Sequence, residues 1–347
     1  MARRGIEGEK RQVVVITGAS AGVGRATTQR FAKTGAAVAL LARDEAALQE
    51  TRKEVEARGG TAMVIPLDVA DPEAVFAAAR DVEETLGPID VWVNNAMATM
   101  FAPLSAITPE EFRRITETTY LGFVHGTMAA LEHMRRRNRG VIVQVGSALA
   151  YRGIPLQSAY CGAKHAIRGF TDSLRCELIH EKSRIKLTMV HLPAINTPQF
   201  DWARTRLPNE PRPVAPVFQP EVAAEAIFEA ARHPRREVWL GSSTAQVILG
   251  DAVVPWFLDR FLARTCFEGQ QRETPLPPGR TDNLFHPVHD PHRTHGSFDR
   301  EAAGSAPALS GNAVRLATAV AGFGVAMIAG MLTRSLLPSR RVRARRR

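Results

Sequence analysis

Ser147, Tyr160 and Lys164 stand close together in the chain, and their side chains can donate, accept or polarise a proton. Tyr160 and Lys164 are four positions apart, so on a helix they share one face. A phenol alone has a pKa of about 10, and a neighbouring ammonium group lowers that pKa because it favours the phenolate. We therefore predict that Tyr160 is a general acid or base, that Ser147 polarises a carbonyl, and that Lys164 assists Tyr160.

A glycine-rich turn upstream, Thr17-Gly18-Ala19-Ser20-Ala21-Gly22-Val23-Gly24, directly follows a short apolar run. The pyrophosphate of a dinucleotide needs backbone N–H groups at a helix N-terminus, and glycine lets the backbone approach it closely. The alternative, that the glycines only turn a strand into a helix, does not account for the residues downstream. We predict a dinucleotide site with the cofactor-binding residues Gly18, Ser20, Gly22, Val23 and Gly24.

The choice of cofactor depends on the residues after the second predicted strand, Leu41-Ala42-Arg43-Asp44. An acid at this place binds the 2′-hydroxyl of the adenosine ribose, whereas an arginine accommodates a 2′-phosphate. Ala42 and Arg43 therefore predict NADP(H) rather than NAD(H). The alternative is that Arg43 is a solvated residue at the start of a helix.

The elements that must position these residues follow an alternating pattern from Gln12 to about Leu240. Short, continuously apolar runs alternate with longer helical patterns, which is typical of a parallel sheet covered by helices on both faces. The predicted fold class is α/β: a doubly wound, parallel, seven-stranded sheet of the Rossmann type. The predicted strands are Val13 to Thr17, Ala37 to Leu41, Ala62 to Leu67, Val91 to Asn94, Val141 to Val145, Ile185 to His191 and Glu237 to Leu240. The predicted helices include Asp44 to Arg58, Pro72 to Leu86, Pro109 to Arg136, Ser158 to Glu181 and Pro220 to Ala231.

Together the glycine turn and the Ser, Tyr and Lys set resemble the short-chain dehydrogenase/reductase family over about residues 10 to 245, in single-domain form with TGxxxGxG and YxxxK motifs. The resemblance implies a second task for Lys164, holding the nicotinamide ribose. It also implies that Thr119, in place of the family's usual asparagine, is a fourth catalytic residue, although a hydroxyl cannot reproduce the amide's geometry. The further cofactor contacts that it implies are Asp68, Val69, Asn95, Ala96, Tyr160, Pro193 and Thr197.

The function that this predicts is hydride transfer between NADP(H) and a carbonyl/alcohol pair, with Tyr160 as the general acid or base. The segment from Gln199 to Gln219 corresponds to the family's substrate lid, and its apolar residues indicate a bulky, partly apolar substrate. One alternative is an NADP(H)-binding sensor or scaffold without turnover; another is a different reaction, such as epimerisation, on the same site. By analogy with the family we expect a homo-oligomer.

Composition and charge narrow the class of protein further. The net charge is +10, but seven of these charges are arginines between Arg334 and Arg347, which leaves only +3 on the rest of the chain. A basic patch with interleaved aromatic residues is missing from the globular part, so we predict no nucleic-acid partner. Three cysteines do not form a disulfide framework, and the N-terminus lacks a signal-peptide core, so we expect a cytoplasmic catalytic domain.

Beyond about residue 272 the regular pattern stops. We predict an N-terminal extension (1–11), a catalytic domain (12–272), a Pro/His-rich linker (273–312), a transmembrane or membrane-associated helix (313–333) and an arginine-rich tail (334–347). The run from Leu316 to Leu332 is uncharged, about 25 Å long as a helix, and of borderline length for spanning a bilayer; a buried or dimerising helix is the alternative. Four histidines, His286, His289, His292 and His295, recur at every third position of the linker, but a flexible segment makes a poor metal site, and we predict no metal.

Overall fold

The computed structural model describes residues 11–289 and 292–321. The proposed N-terminal extension apart from Arg11, most of the candidate membrane helix and the arginine-rich tail lie outside the described residues. The central sheet has eight strands: β1 (Val13–Thr17), β2 (Ala37–Ala42), β3 (Thr61–Pro66), β4 (Val91–Asn94), β5 (Val141–Ser147), β6 (Lys186–Leu192), β7 (Glu237–Leu240) and β8 (Ala308–Ser310).

The strand order is β8-β7-β6-β5-β4-β1-β2-β3. Strands β1 to β7 are parallel to their neighbours, as the sequence predicts, and β8 pairs antiparallel with β7. The prediction of seven strands was therefore incomplete. The eighth strand comes from the stretch expected to be a linker, and it covers the edge of the sheet, where β7 would otherwise leave unpaired backbone groups.

Nine helices of the described part connect or follow these strands: α1 (Gly22–Ala32), α2 (Glu45–Ala57), α3 (Pro72–Thr85), α4 (Pro109–Thr116), α5 (Gly122–Arg137), α6 (Ser158–His180), α7 (Pro220–Arg232), α8 (Gly241–Val253) and α9 (Pro255–Gly269). One short helical turn, Gln199–Trp202, lies in the substrate-lid segment, and residues 311 to 321 are also helical. Short strands pair Met100–Phe101 with Arg204–Thr205, Asn209–Pro211 with Gln271–Pro275, and Val217–Phe218 with both Ala194–Ile195 and Ala302–Ala303.

The helix predicted from Pro109 to Arg136 is interrupted. A π-helical turn, Glu117–Leu121, separates α4 from α5. Thr119 lies in this turn, and its hydroxyl is tied to the backbone of Ala98. No proline or glycine stands between Pro109 and Gly122 to indicate the interruption. The contact that holds the turn is made with Ala98, which is distant in the chain.

Both faces of the sheet are buried, because alternate residues of each strand point to opposite sides. In β1, Val14 and Ile16 pack toward Phe31 of α1 and Phe228 of α7, in one apolar cluster. Val13 and Val15 belong to the cluster on the other face, with residues of α3, α5 and α6. These two layers hold the carboxyl ends of the parallel strands in fixed positions, and those ends carry the candidate site.

Candidate functional site

One large cavity runs along the carboxyl ends of the parallel strands, from the glycine turn to the N-terminal part of α6. In open α/β sheets this is where ligands bind. Most of the residues predicted from the sequence line this cavity: Gly18, Ser20, Gly22, Val23, Arg43, Asp68, Val69, Asn95, Ala96, Ser147, Tyr160, Lys164, Pro193 and Thr197. Gly24 and Thr119 are not part of its wall.

The glycine turn needs glycine for two different reasons. Gly18 and Gly22 have φ values of +68° and +54°, in the left-handed region that residues with a Cβ rarely adopt. At Gly24 a Cβ would lie 2.0 Å from the carbonyl oxygen of Gly18, so any side chain would force α1 away from β1. Gly24 therefore acts through packing, and it keeps the N-terminus of α1 close to the cavity.

The end of β4 is tied to the glycine turn by polar contacts. The hydroxyl of Thr17 accepts hydrogen bonds from the backbone N–H groups of Asn95 and Ala96, at 2.9 and 3.0 Å. The amide nitrogen of Asn95 donates to the carbonyl of Thr17 at 2.9 Å. Asn95 and Ala96 thus shape the cavity wall beside the glycine turn.

Ser147, Tyr160 and Lys164 meet at one place in this wall. Ser147 ends β5, and its Oγ accepts a hydrogen bond from the backbone N–H of Leu149 at 3.1 Å. Lys164 Nζ lies 5.6 Å from the centre of the Tyr160 ring and donates to the carbonyl of Val145 at 2.8 Å. The end of β5 and the N-terminal part of α6 therefore bring these three side chains to the same part of the cavity wall.

Burial dominates the proton affinities of this group. Burial raises the pKa of Tyr160, and its hydrogen bond with Ser147 opposes the rise. Burial lowers the pKa of Lys164 to about 7. A phenol that keeps its proton at neutral pH, beside an amine that titrates there, is an arrangement suited to delivering a proton to a developing alkoxide.

Thr119 is placed differently from the other predicted catalytic residues. Its side chain is fully buried, donates to the carbonyl of Ala98 at 2.8 Å and accepts from the N–H of the same residue at 2.9 Å. The hydroxyl hydrogen is therefore already used. The structure supports a positioning role for Thr119, which fixes the π-helical turn, while the neighbouring Thr118 lines the cavity.

The end of the cavity beyond Tyr160 is mostly apolar. Its walls come from the loop before α6, the lid segment and helices α8 and α9. They include Leu149, Ile154, Phe200, Val214, Val247 and Leu262. Within the described residues, the buried hydroxyls of Ser243 and Thr244 have no hydrogen-bond partner, so this end also offers polar groups to a ligand.

The stretch predicted as a linker packs on the domain instead. Leu284, Val288 and Phe298 are buried, and Asn283, Pro287, Val288 and His292 line the cavity. Sequence reasoning missed these residues because single apolar side chains among prolines show no periodic pattern. The outer boundaries of the linker and of the catalytic domain stay predictions.

Three of the four histidines of this stretch contact different parts of the protein. His289 Nδ1 lies 2.7 Å from Asp44 Oδ2, and His292 Nε2 lies 2.8 Å from the carbonyl of Val288. His295 contacts Asp299 and Glu221, both at 2.9 Å. Within residues 11–289 and 292–321, no group of three or more His, Cys, Asp or Glu side chains is arranged to hold a metal ion.

A doubly wound parallel sheet with a glycine turn at its first crossover and a Ser, Tyr and Lys group on the same cavity defines a dinucleotide-binding oxidoreductase fold. The family model for short chain dehydrogenase matches residues 12–206. The chain therefore belongs to the short-chain dehydrogenase family, and the resemblance inferred from the sequence is confirmed.

Several curated proteins are similar to the chain. It is 36% identical to the uncharacterised oxidoreductase YxnA of Bacillus subtilis over 278 residues, which cover 80% of this chain and 78% of the relative. It is 30% identical to a fatty acyl-CoA reductase of Acinetobacter baylyi, over 66% of this chain and 76% of that one. It is 31% identical to a 3-dehydrosphinganine reductase of Danio rerio, over 63% and 68%.

Proposed function

We propose that the protein is an NADP(H)-dependent oxidoreductase that interconverts a partly apolar carbonyl compound and its alcohol. The observation that carries the proposal is that Ser147, Tyr160 and Lys164 share one cavity with the glycine turn and Arg43. The cavity fits a dinucleotide: glycines without side chains border it at one end, and the orphaned hydroxyl of Thr118 lies in its wall. The bound nicotinamide would supply or accept the hydride.

The side chains of this chain would handle the proton. In the direction of reduction, Ser147 donates a hydrogen bond to the substrate oxygen and Tyr160 gives that oxygen its proton. Lys164, when protonated, stabilises the phenolate that remains on Tyr160. The glycine turn, Asn95 and Thr197 would hold the nucleotide, and Arg43 would select the 2′-phosphate form.

The apolar end of the cavity supports an apolar substrate. The names of two relatives refer to a fatty acyl-CoA and to 3-dehydrosphinganine, which agrees with this choice. We expect the protein to oxidise NADPH with a series of straight-chain aldehydes and ketones. For each methylene added to the substrate, kcat/KM should rise about three- to fourfold, as long as that methylene contacts the apolar wall of the cavity. Loss of the absorbance of NADPH measures the rate.

Two results of this panel would contradict the proposal. Equal kcat/KM for short and long chains would contradict the apolar substrate. Tight NADPH binding without turnover of any carbonyl, and without oxidation of the matching alcohols, would favour the sensor or scaffold instead.

We also propose that the protein associates with a membrane, and an exposed aromatic surface on helix α9 supports this. Helix α9 supplies Leu262 and Cys266 to the cavity but leaves Trp256, Phe257 and Phe261 exposed by 61%, 50% and 49%. Aromatic residues on an exposed helix with nearby arginines are typical of a helix lying in a membrane interface. No helix in the part of the chain that the structure describes is long and apolar enough to cross a bilayer.

A vesicle experiment tests this surface. We expect the full-length protein to sediment with vesicles of phosphatidylcholine and phosphatidylglycerol. A triple variant should reduce the bound fraction severalfold, because burial of large apolar side chains drives such binding. This variant combines Trp256→Ser, Phe257→Ser and Phe261→Ser. Leu104→Ser is the control, since Leu104 is 63% exposed elsewhere. Wild-type protein that stays in the supernatant would exclude the proposal, whereas concentration-dependent dimerisation lost in the triple variant would assign the surface to a second copy.

A further inference from the structure

Residues 282–289, here called the arm, lie against the end of the cavity where β2 ends. Leu284 is fully buried and packs among Met100, Ala102 and Ile115, so it anchors the arm to the domain. Pro287 and Val288 form part of the cavity wall. The arm lies outside residues 12–206, which the family model matches.

The arm holds Arg43 through neutral groups only. Within the described residues, the guanidinium of Arg43 donates to three backbone carbonyls of the arm, those of Asn283, Leu284 and Phe285, the last at 3.2 Å. A carbonyl fixes the direction of a guanidinium without neutralising its charge. Arg43 therefore stands in the cavity wall as an oriented cation.

The carboxylate that could neutralise Arg43 is bound by another arginine. Asp68 is the nearby acid that acts on the charge of Arg43, and it forms an ion pair with Arg114 of α4. Arg114 Nε also donates to the carbonyl of Leu284 at 3.0 Å, so one carbonyl of the arm contacts both guanidinium groups. Arg114 is 12% exposed and does not itself line the cavity.

We propose that the arm and Arg114 set the preference for NADP(H): arm carbonyls orient Arg43 in the cavity wall, and Arg114 occupies Asp68 so that the charge of Arg43 is left for a 2′-phosphate. This rests on the cofactor site of the proposed function. Arg114 is thus a positioning residue. Without it, Asp68 would pair with Arg43 and repel the phosphate, whereas NADH, with a hydroxyl at that position, would be little affected.

The test measures nucleotide affinity without substrate, by fluorescence titration of NADPH and NADH. In Arg114→Gln we expect NADPH to bind about tenfold more weakly and NADH to change by less than about threefold. Arg113→Gln is the matched control, because it removes the same charge from the exposed neighbour on the same helix and should leave the ratio of the two dissociation constants unchanged.

Further variants separate positioning from folding. Arg114→Lys should keep part of the preference for NADPH over NADH. Asp68→Asn in the Arg114→Gln background should restore that preference, because the carboxylate that competes for Arg43 is gone. Leu284→Ala, which loosens the arm, should weaken NADPH more than NADH. Equal weakening of both nucleotides in Arg114→Gln, or an unchanged ratio in both Arg114→Gln and Leu284→Ala, would overturn the proposal. Selective nucleotide binding without turnover would instead contradict only the proposed enzymatic function.

Discussion

Tyr160→Phe is expected to lower kcat for carbonyl reduction by about 10²- to 10⁴-fold, the usual contribution of a positioned general acid. The substitution removes one oxygen and leaves the ring that lies beside Lys164. Because burial keeps the phenol protonated, Tyr160 holds the transferable proton throughout the neutral range. NADPH affinity should change by less than about threefold, since the glycine turn and Arg43 remain.

The measurement is steady-state NADPH oxidation with the best carbonyl of the panel, beside a direct NADPH titration. Tyr120→Phe is the matched control: Tyr120 packs edge-on against Phe170 and is not part of the cavity wall. A Tyr160→Phe variant that keeps more than about a tenth of the wild-type kcat would show that the proton comes from another group or from water. Loss of NADPH binding in the same variant would mean that Tyr160 holds the nucleotide rather than the proton.

The parallel part of the sheet could be read from the sequence because its strands are short and apolar throughout. Seven of the eight strands agree with the prediction to within two residues, and β1, β4 and β7 agree at both ends. A strand buried on both faces carries this signal locally. The edge strand β8, with the sequence Ala-Leu-Ser, carries no such signal, since it forms only because β7 offers it a partner.

The candidate site was predictable where a residue's position in a motif fixes its position in space. Ser147 ends a strand, and Tyr160 and Lys164 share a helical face, so the fold alone brings them together. Arg114 and the arm depend on contacts across 170 residues or more of chain, such as that between Arg114 and Leu284. Nothing local distinguishes Arg114 from Arg113, and only the packed structure shows which of them meets Asp68.

Arg315 has a structural role that its position in the sequence does not indicate. It stands before a long apolar run, and a flanking arginine of that kind is typical of a membrane segment. In the structure its guanidinium lies 2.7 Å from the Glu237 carboxylate and 2.6 Å from the Tyr151 hydroxyl. The residue thus ties the helical stretch from residue 311 to 321 to strand β7.

Glu237→Gln is expected to lower the free energy of unfolding by about 3 kcal/mol, because a buried carboxylate with several donors is lost. Glu237 is 3% exposed and accepts hydrogen bonds from Tyr151, Trp239 and Arg315. A melting temperature lower by about 5–10 °C should accompany the change. Glu56→Gln is the control, since Glu56 and its partner Arg52 are about half exposed and such pairs contribute little.

The pH dependence of the difference in unfolding free energy between wild type and Glu237→Gln identifies the electrostatic part of that difference. Burial alone would raise the pKa of Glu237, but His191, Tyr151, Trp239 and Arg315 outweigh it and lower the pKa to about 2. A depressed carboxyl pKa stabilises the fold above the ordinary value of 4.5, and that stabilisation is lost as the pH falls toward 2. Urea unfolding at several pH values should therefore show the gap between wild type and Glu237→Gln shrinking below about pH 4.5. Burial also lowers the pKa of His191, to about 4, and the Glu237 carboxylate opposes that shift, so the two groups are coupled near and below pH 4. A gap that stays constant from about pH 7 down to about pH 4 would mean that Gln disturbs packing around Trp239 and that the charge of Glu237 contributes little.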